Sequence, residues 1–229
     1  MNKEQLKIEL HASYFFDLAT FPHFSIFDDQ KYVWEALNKI SQYLGSLRLG
    51  NIETDVPQNA HLVDPHLISI GKGTVIEPGA YIKGPCFIGK DCTIRHGAYI
   101  RGNVITGNGC VIGHDSEVKN SIFLNDAKAP HFAYVGDSIL GNHVNLGAGT
   151  ICANLRLDHC EVNVSYMQQH IKTGLKKFGS IFGDHTQIGC NCVVNPGTLI
   201  GSHVQCYPLQ SLSGFIPSKS VIRVSRGLS

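Results

Sequence analysis

Twelve histidines and eight cysteines are the side chains of this 229-residue protein best suited to proton transfer, nucleophilic attack or metal binding. An imidazole changes charge near neutral pH, so any of the histidines is a candidate acid or base. His131 stands apart, because it follows Pro130 in a stretch that departs from the sequence period described below. His61 and His66 have a spacing compatible with zinc, but no third histidine joins them, which argues against a zinc hydratase of the γ-carbonic anhydrase kind. The cysteines form no metal quartet. Cys190 and Cys192 make a C-x-C pair that a strand would point to opposite faces. With no secretion signal in view, the cysteines are read as free thiols, six of them small buried hydrophobes.

The elements that must position such residues follow from a six-residue period. Every sixth residue from Ile70 to Leu124 is aliphatic except Thr106, and the phase returns at Leu140, Leu146 and Cys152 and again from Phe182 to Cys206. Neither a helix nor a simple strand repeats at six, whereas a parallel β-helix does. Four residues after each aliphatic position stands a small side chain (Thr74, Ala80, Cys86, Cys92, Ala98, Cys110), and a glycine often follows the aliphatic residue directly. One large and one small inward residue per strand fill a narrow prism. The fold class is therefore all-β, a parallel β-helix with a helical N-terminal segment. His96, His114, His143, His185 and His203 fall at its corners and are expected in solvent.

The sequence divides into an N-terminal segment 1–50, a repeat domain 51–208 interrupted by loops at 125–139 and 153–181, and a tail 209–229. The spacing of Val33, Trp34, Leu37, Ile40 and Leu44 after Asp28 and Asp29 predicts a helix over 30–46. The aromatic stretch before it (Tyr14, Phe15, Phe16, Phe21, Phe24 and Phe27) reads as a lid over the open end of the stack, which solenoids require. The tail, with Arg223 and Arg226, is expected to leave the stack and cover a side. A net charge of +1 with 16% charged residues argues against nucleic-acid binding, and no apolar run reads as a membrane span or signal peptide, so the cytoplasm is the expected location.

Five segments carry a resemblance: A-Y-I-R-G at 98–102, E-V-K-N at 117–120, H-F-A-Y-V-G-D at 131–137, V-N-L-G-A-G-T-I-C-A-N at 144–154 and K-K-F at 176–178. Over residues 91–206 the chain resembles the C-terminal domain of the bifunctional bacterial glucosamine-1-phosphate N-acetyltransferase and N-acetylglucosamine-1-phosphate uridyltransferase. That domain is a hexapeptide-repeat acyltransferase with a left-handed β-helix. The resemblance implies transfer of an acetyl group from acetyl-CoA to an amino sugar phosphate or sugar nucleotide, in a homotrimer whose sites lie between subunits. It casts His131 as the general base that takes the amine proton. Arg101, Lys119 and Lys177 would grip the sugar phosphate, and Glu117, Tyr134, Asn145 and Asn154 would line the sugar site and orient the base. The Ala148 N–H would polarise the thioester carbonyl. Cys190 stands where the family has a Ser at the CoA wall, and Arg223 would reach the CoA phosphates. Transfer would be direct, with no acyl-cysteine.

The chain departs from the family pattern in three ways. Leu155 replaces a Tyr, about twenty extra residues separate Asn154 from Lys177, and no Gly-rich triphosphate loop is present, so no uridyltransferase activity is expected. A non-catalytic sugar-nucleotide-binding or scaffold protein that keeps the acetyltransferase fold is the alternative. No metal is expected.

Overall fold

The computed structural model describes residues 10–223. Three parallel eight-stranded sheets enclose a triangular prism, the parallel β-helix read from the hexads, with the left hand that the family resemblance implies. Face I carries the strands His61–Val63, Tyr81–Lys83, Tyr99–Ile100, Glu117–Lys119, Tyr134–Gly136, Ile151–Cys152, Val193–Val194 and Ser211–Leu212. Face II runs from Ile68–Ile70 to Phe215–Ile216, and face III from Val75–Ile76 to Val221–Ile222. Ile70 lies beside Ile88 and Ile82 beside Ile100, giving coils of 18 residues, or three hexads. The hexad residues fill the prism: Ile70, Ile82, Ile88, Ile94 and Ile100 are all buried, as are the small Thr74, Ala80, Cys86, Cys92 and Ala98. Truncating one of these isoleucines to Ala costs about 2–5 kcal/mol, since the neighbouring coils cannot collapse into the space. Burial pushes the thiols of Cys86 and Cys152 up to about 12, so they are packing groups rather than nucleophiles.

The phase shift after residue 118 has a physical cause that differs from the loop expected at 125–139. Val118 pairs with Val135, Thr106 with Phe123, and Leu146 follows in the same progression, so two successive coils hold 17 residues. The step from inward Val118 to inward Phe123 is five residues, and so is the step from Val135 to Leu140. Phe123 thus takes the inward place that the strict period assigned to Leu124, and Leu124 packs outside with the N-terminal segment. Residues 125–139 do not leave the stack; they contain the strands Lys128–His131 and Tyr134–Gly136. Both shortened turns lie at the corner between faces I and II. The larger insertion leaves from that corner after Asn154 and returns at Phe178. It carries an antiparallel hairpin, Asn163–Tyr166 with Gln169–Lys172.

The N-terminal segment also differs from expectation. It covers the outside of face II along the stack, not the open end. Helix α1 is Ala12–Phe15 and helix α2 is Glu35–Ser46, the latter starting five residues after the predicted boundary. Trp34 occupies its N-cap position, and Asp29 adopts a left-handed conformation outside the helix. Ala36, Leu37, Ile40 and Leu44 of α2 join Trp34, Phe15 and Phe21 in a second core with Ile105, Ile122, Ile139, Ile181 and Leu199, the outward residues of face II. Val162, Val164 and Tyr166 of the hairpin complete this cover. A regular hexad strand alternates inward and outward, so apolar residues at both positions require a second layer, and the N-terminal segment supplies it. The expected tail likewise stays in the stack: Ser211–Leu212, Phe215–Ile216 and Val221–Ile222 extend all three faces. Arg226 lies outside the described residues.

Candidate functional site

Face I gathers most of the expected site residues. Its strands alternate, so the neighbours of inward Ile100, Val118 and Val135 project outward as two columns. Tyr99, Glu117 and Tyr134 stand side by side in one column, and Arg101 and Lys119 occupy the other. The Arg101 guanidinium donates to Glu117 Oε1 at 2.6 Å. That hydrogen bond, more than the surrounding charge, pushes the guanidinium further up from its usual range. One coil further on, Lys119 Nζ donates to Asp137 Oδ2 at 2.8 Å, with the Asp137 side chain almost fully buried.

Asp137 organises the corner between faces I and II. Its carboxylate also accepts from Asn120 Nδ2 at 2.9 Å and from the Asn154 side-chain amide. The five-residue corner turns sharply, and both Asn120 and Asp137 sit in the left-handed region that such a turn demands. Gly136 keeps the space open: a Cβ there would stand 2.6 Å from the Tyr134 hydroxyl and 2.7 Å from Asn154 Nδ2. Burial, then the carboxylates of Asp137 and Glu117, push the Tyr134 hydroxyl up, while the neighbouring Asn154 side chain opposes that shift. Tyr134 therefore stays a neutral donor beside two carboxylates. Sequence reasoning assigned no role to Asp137 or Asn120. The available signal was their place at the ends of H-x-x-Y-x-G-D and E-V-K-N, where the five-residue corners fall.

His131 ends the face III strand Lys128–His131, on the corner with face I, three residues before Tyr134. It pairs in register with His114 of the preceding coil, and its carbonyl accepts from the Gly149 N–H at 3.1 Å. Gly113 permits this approach, since a Cβ there would meet Pro130 O at 1.7 Å. The imidazole is exposed and, among the described residues, has no side-chain hydrogen-bond partner. Ala148 and Cys190 follow His131 on the same corner in the next two coils, at about 4.8 Å per coil, and the Ala148 carbonyl accepts from Asn191 N–H. The Ala148 N–H itself has no backbone acceptor among the described residues.

Lys177 is exposed at the end of the insertion, next to Phe178, whose N–H donates to Asn154 O at 2.9 Å. This returns it to the corner that holds Asn154 and Asp137. Two expected residues are not brought to this group within one chain. Asn145 lies on face III between Lys128 and Gln187, across the corner from face I. Arg223 follows the last strand of face III, four strands beyond Lys128–His131 in the sheet order. Among the described residues no group of three His, Cys, Asp or Glu side chains is arranged to hold a metal ion. None of their helices is long and apolar enough to cross a membrane.

The arrangement offers two cations held at fixed positions by carboxylates, a neutral phenol, two amides and, at the edge, an exposed imidazole. Such a surface can accept an anion and a hydroxyl-rich ligand and exchange a proton with it. Comparison with known proteins bears directly on that arrangement. Residues 82–169 match the family model described as the GMPPB C-terminal domain. The likeness is to the C-terminal acetyltransferase domain of bifunctional sugar-phosphate enzymes.

A bifunctional sugar-1-phosphate nucleotidylyltransferase/acetyltransferase of Sulfurisphaera tokodaii is 42% identical over 88 residues, which are 38% of this chain and 22% of that protein. The bifunctional protein GlmU of Methanococcus aeolicus is 41% identical over 83 residues, 36% of this chain and 20% of its own length. The chain thus aligns with about a fifth of the length of these curated relatives. Among solved structures, the UDP-N-acetylglucosamine acyltransferase of Francisella novicida superposes with a TM-score of 0.47 at 13% identity, over 75% of this chain and 62% of that one. The family match takes in Arg101, Glu117, Lys119, His131, Tyr134, Asn145, Ala148 and Asn154, and ends before Lys177, Cys190 and Arg223.

Proposed function

We propose that this protein is an acetyl-CoA-dependent N-acetyltransferase for an amino sugar carrying phosphate, with His131 as general base. The observation that carries this reading is the placement of Arg101 and Lys119 on one face, each fixed by a carboxylate, with Tyr134 one coil beyond Lys119 and His131 on the adjoining corner. The phosphate of the acceptor displaces part of the carboxylate contact and binds across Arg101 and Lys119, the guanidinium offering two parallel donors. Lys177 adds a third cation from the insertion. Glu117, Tyr134 and Asn154 receive the sugar hydroxyls.

The acceptor amine must be neutral to attack. As its nitrogen bonds to the acetyl carbon, His131 takes the amine proton, the carbon–sulfur bond of the thioester breaks, and the leaving thiolate takes that proton from the imidazolium, so that CoA departs as the thiol and His131 is again neutral. The Ala148 N–H, without a backbone acceptor of its own, polarises the acetyl oxygen, and Cys190 lines the same corner one coil further. Acetyl-CoA is thus laid along the corner between faces I and III, and Arg223 meets its phosphates at the far end.

The site stands on an open face rather than in a closed cavity. Phe132, Ile151 and Val193 leave 54%, 37% and 40% of their surface exposed beside it. A homotrimer buries this apolar edge and brings Asn145 of one subunit toward His131 of another. Steady-state acetyl transfer to glucosamine-1-phosphate tests the phosphate assignment. Arg101→Ala raises KM for the acceptor about tenfold or more with little change in kcat. An unchanged KM removes Arg101 from the phosphate site.

A further inference from the structure

The cationic column of face I does not stop at the site. Ile82 pairs with Ile100 and Ile100 with Val118, so Lys83, Arg101 and Lys119 occupy successive rungs. The parallel column is aromatic: His61 pairs with Tyr81, and Tyr81 with Tyr99. Ring centroids are 6.5 Å apart for His61 and Tyr81 and 5.2 Å for Tyr81 and Tyr99, and the Arg101 guanidinium lies 5.9 Å from the Tyr99 ring.

Like charges on adjacent rungs repel, so a column of three cations is unfavourable without an anion. Arg101 and Lys119 have Glu117 and Asp137 as partners, whereas no carboxylate lies within salt-bridge distance of Lys83 among the described residues. The uncompensated charge is therefore one coil on the N-terminal side of Arg101. It stands beside Tyr99, 42% exposed, and Tyr81, which is half-buried. Cross-strand packing alone accounts for the tyrosine pair, but not for an unpaired cation continuing a phosphate site next to it.

Building on the acetyltransferase reading, we propose that the acceptor is a nucleoside-diphosphate amino sugar. Its sugar lies at Tyr134 and His131, its diphosphate spans Lys119, Arg101 and Lys83, and its nucleobase stacks on one ring of the Tyr81–Tyr99 pair, which stand edge to face at 75°. From the Tyr134 coil to the Tyr81 coil is three steps, about 14 Å, a distance that an extended diphosphate and ribose can bridge. Stacking on a tyrosine face selects for a base of any kind rather than for one base, so the ladder determines the class of acceptor and not the nucleotide.

Isothermal titration of the 229-residue chain with UDP, GDP and dTDP, beside inorganic pyrophosphate and glucosamine-1-phosphate, tests this. At least one nucleoside diphosphate is expected to bind about tenfold or more tightly than pyrophosphate, and Tyr99→Ala to abolish that advantage. Tyr99→Phe retains it, and Lys83→Ala weakens the nucleotide while leaving glucosamine-1-phosphate within about twofold. Circular dichroism melting of each variant separates lost binding from lost fold. Nucleoside diphosphates binding no tighter than pyrophosphate, or an unchanged Kd in Tyr99→Ala and Lys83→Ala, overturn the proposal. If nucleotide binding follows this pattern while no acceptor releases CoA, the ladder stands and the acetyltransferase reading falls. Turnover of glucosamine-1-phosphate with no nucleotide binding has the opposite meaning.

Discussion

Asp137 holds three donors at once, from Lys119, Asn120 and Asn154, and is nearly buried while doing so. It touches no proposed substrate atom; its work is to fix the side chains that do. Removing the carboxylate leaves two amides and an ammonium without their acceptor, and such unpaired groups cost about 2–3 kcal/mol. Urea unfolding of Asp137→Ala is expected to show a loss of that size, with Asp137→Asn recovering only part because its amide cannot accept from all three. A loss below about 0.5 kcal/mol would mean that the corner is held by its backbone alone. At this scale, motif reading singled out Arg101, Glu117, Lys119 and Tyr134, which the fold brings to one face, because their types and spacing are distinctive. It passed over Asp137 and Asn120 because a positioning residue is recognised by what it contacts across coils, and one-dimensional spacing does not reveal those contacts.

The N-terminal segment is a second layer over face II, and His23 lies within it. Its ring stands 4.3 Å from that of Phe87, near Phe21, and shares a hydrogen bond of 3.1 Å with the Tyr43 hydroxyl. Desolvation lowers its pKa from the ordinary 6.5 to about 4, so the folded state holds it neutral. Below pH 6.5 the unfolded chain takes up the proton that the folded chain refuses, and stability falls as the pH drops from 6.5 toward 4. No acidic or basic side chain forms an ion pair with His23 among the described residues to reverse the sign. Chemical denaturation at pH 7 and pH 5 should show wild type losing stability on acidification and His23→Phe losing less. Equal losses would place the pH sensitivity elsewhere.

The hexads made face and interior legible along most of the chain, because each inward position is a large aliphatic residue at a fixed interval. They failed after Val118, where the corners at 118–123 and 135–140 each shorten by one residue and the phase slips without any chain leaving the stack. They also said nothing of face II's outer row, Ile105, Ile122 and Ile139, whose apolar character called for a cover along the flank rather than at the end.

The whole molecule presents its three faces differently. Face II is covered by its own N-terminal segment and hairpin, face I carries the cations and the site, and the corner between faces I and III runs past His131, Ala148 and Cys190. A single chain leaves Asn145 across that corner and exposes Phe132, Ile151 and Val193 beside it. Light scattering at micromolar concentration is expected to give about three times the monomer mass. A monomer would contradict a site completed between subunits and would leave Asn145 without a role at His131.

The central claim is that His131 is the base for acetyl transfer, and CoA release from acetyl-CoA measures it most directly. Wild type and His131→Ala are compared with glucosamine-1-phosphate and with nucleoside-diphosphate amino sugars as acceptors. The account predicts turnover in wild type and a loss of at least about a hundredfold in kcat for the variant, with CoA affinity unchanged. Full kcat in His131→Ala would contradict the assignment of the base, and no CoA release by wild type with any of these acceptors would contradict the acetyltransferase itself.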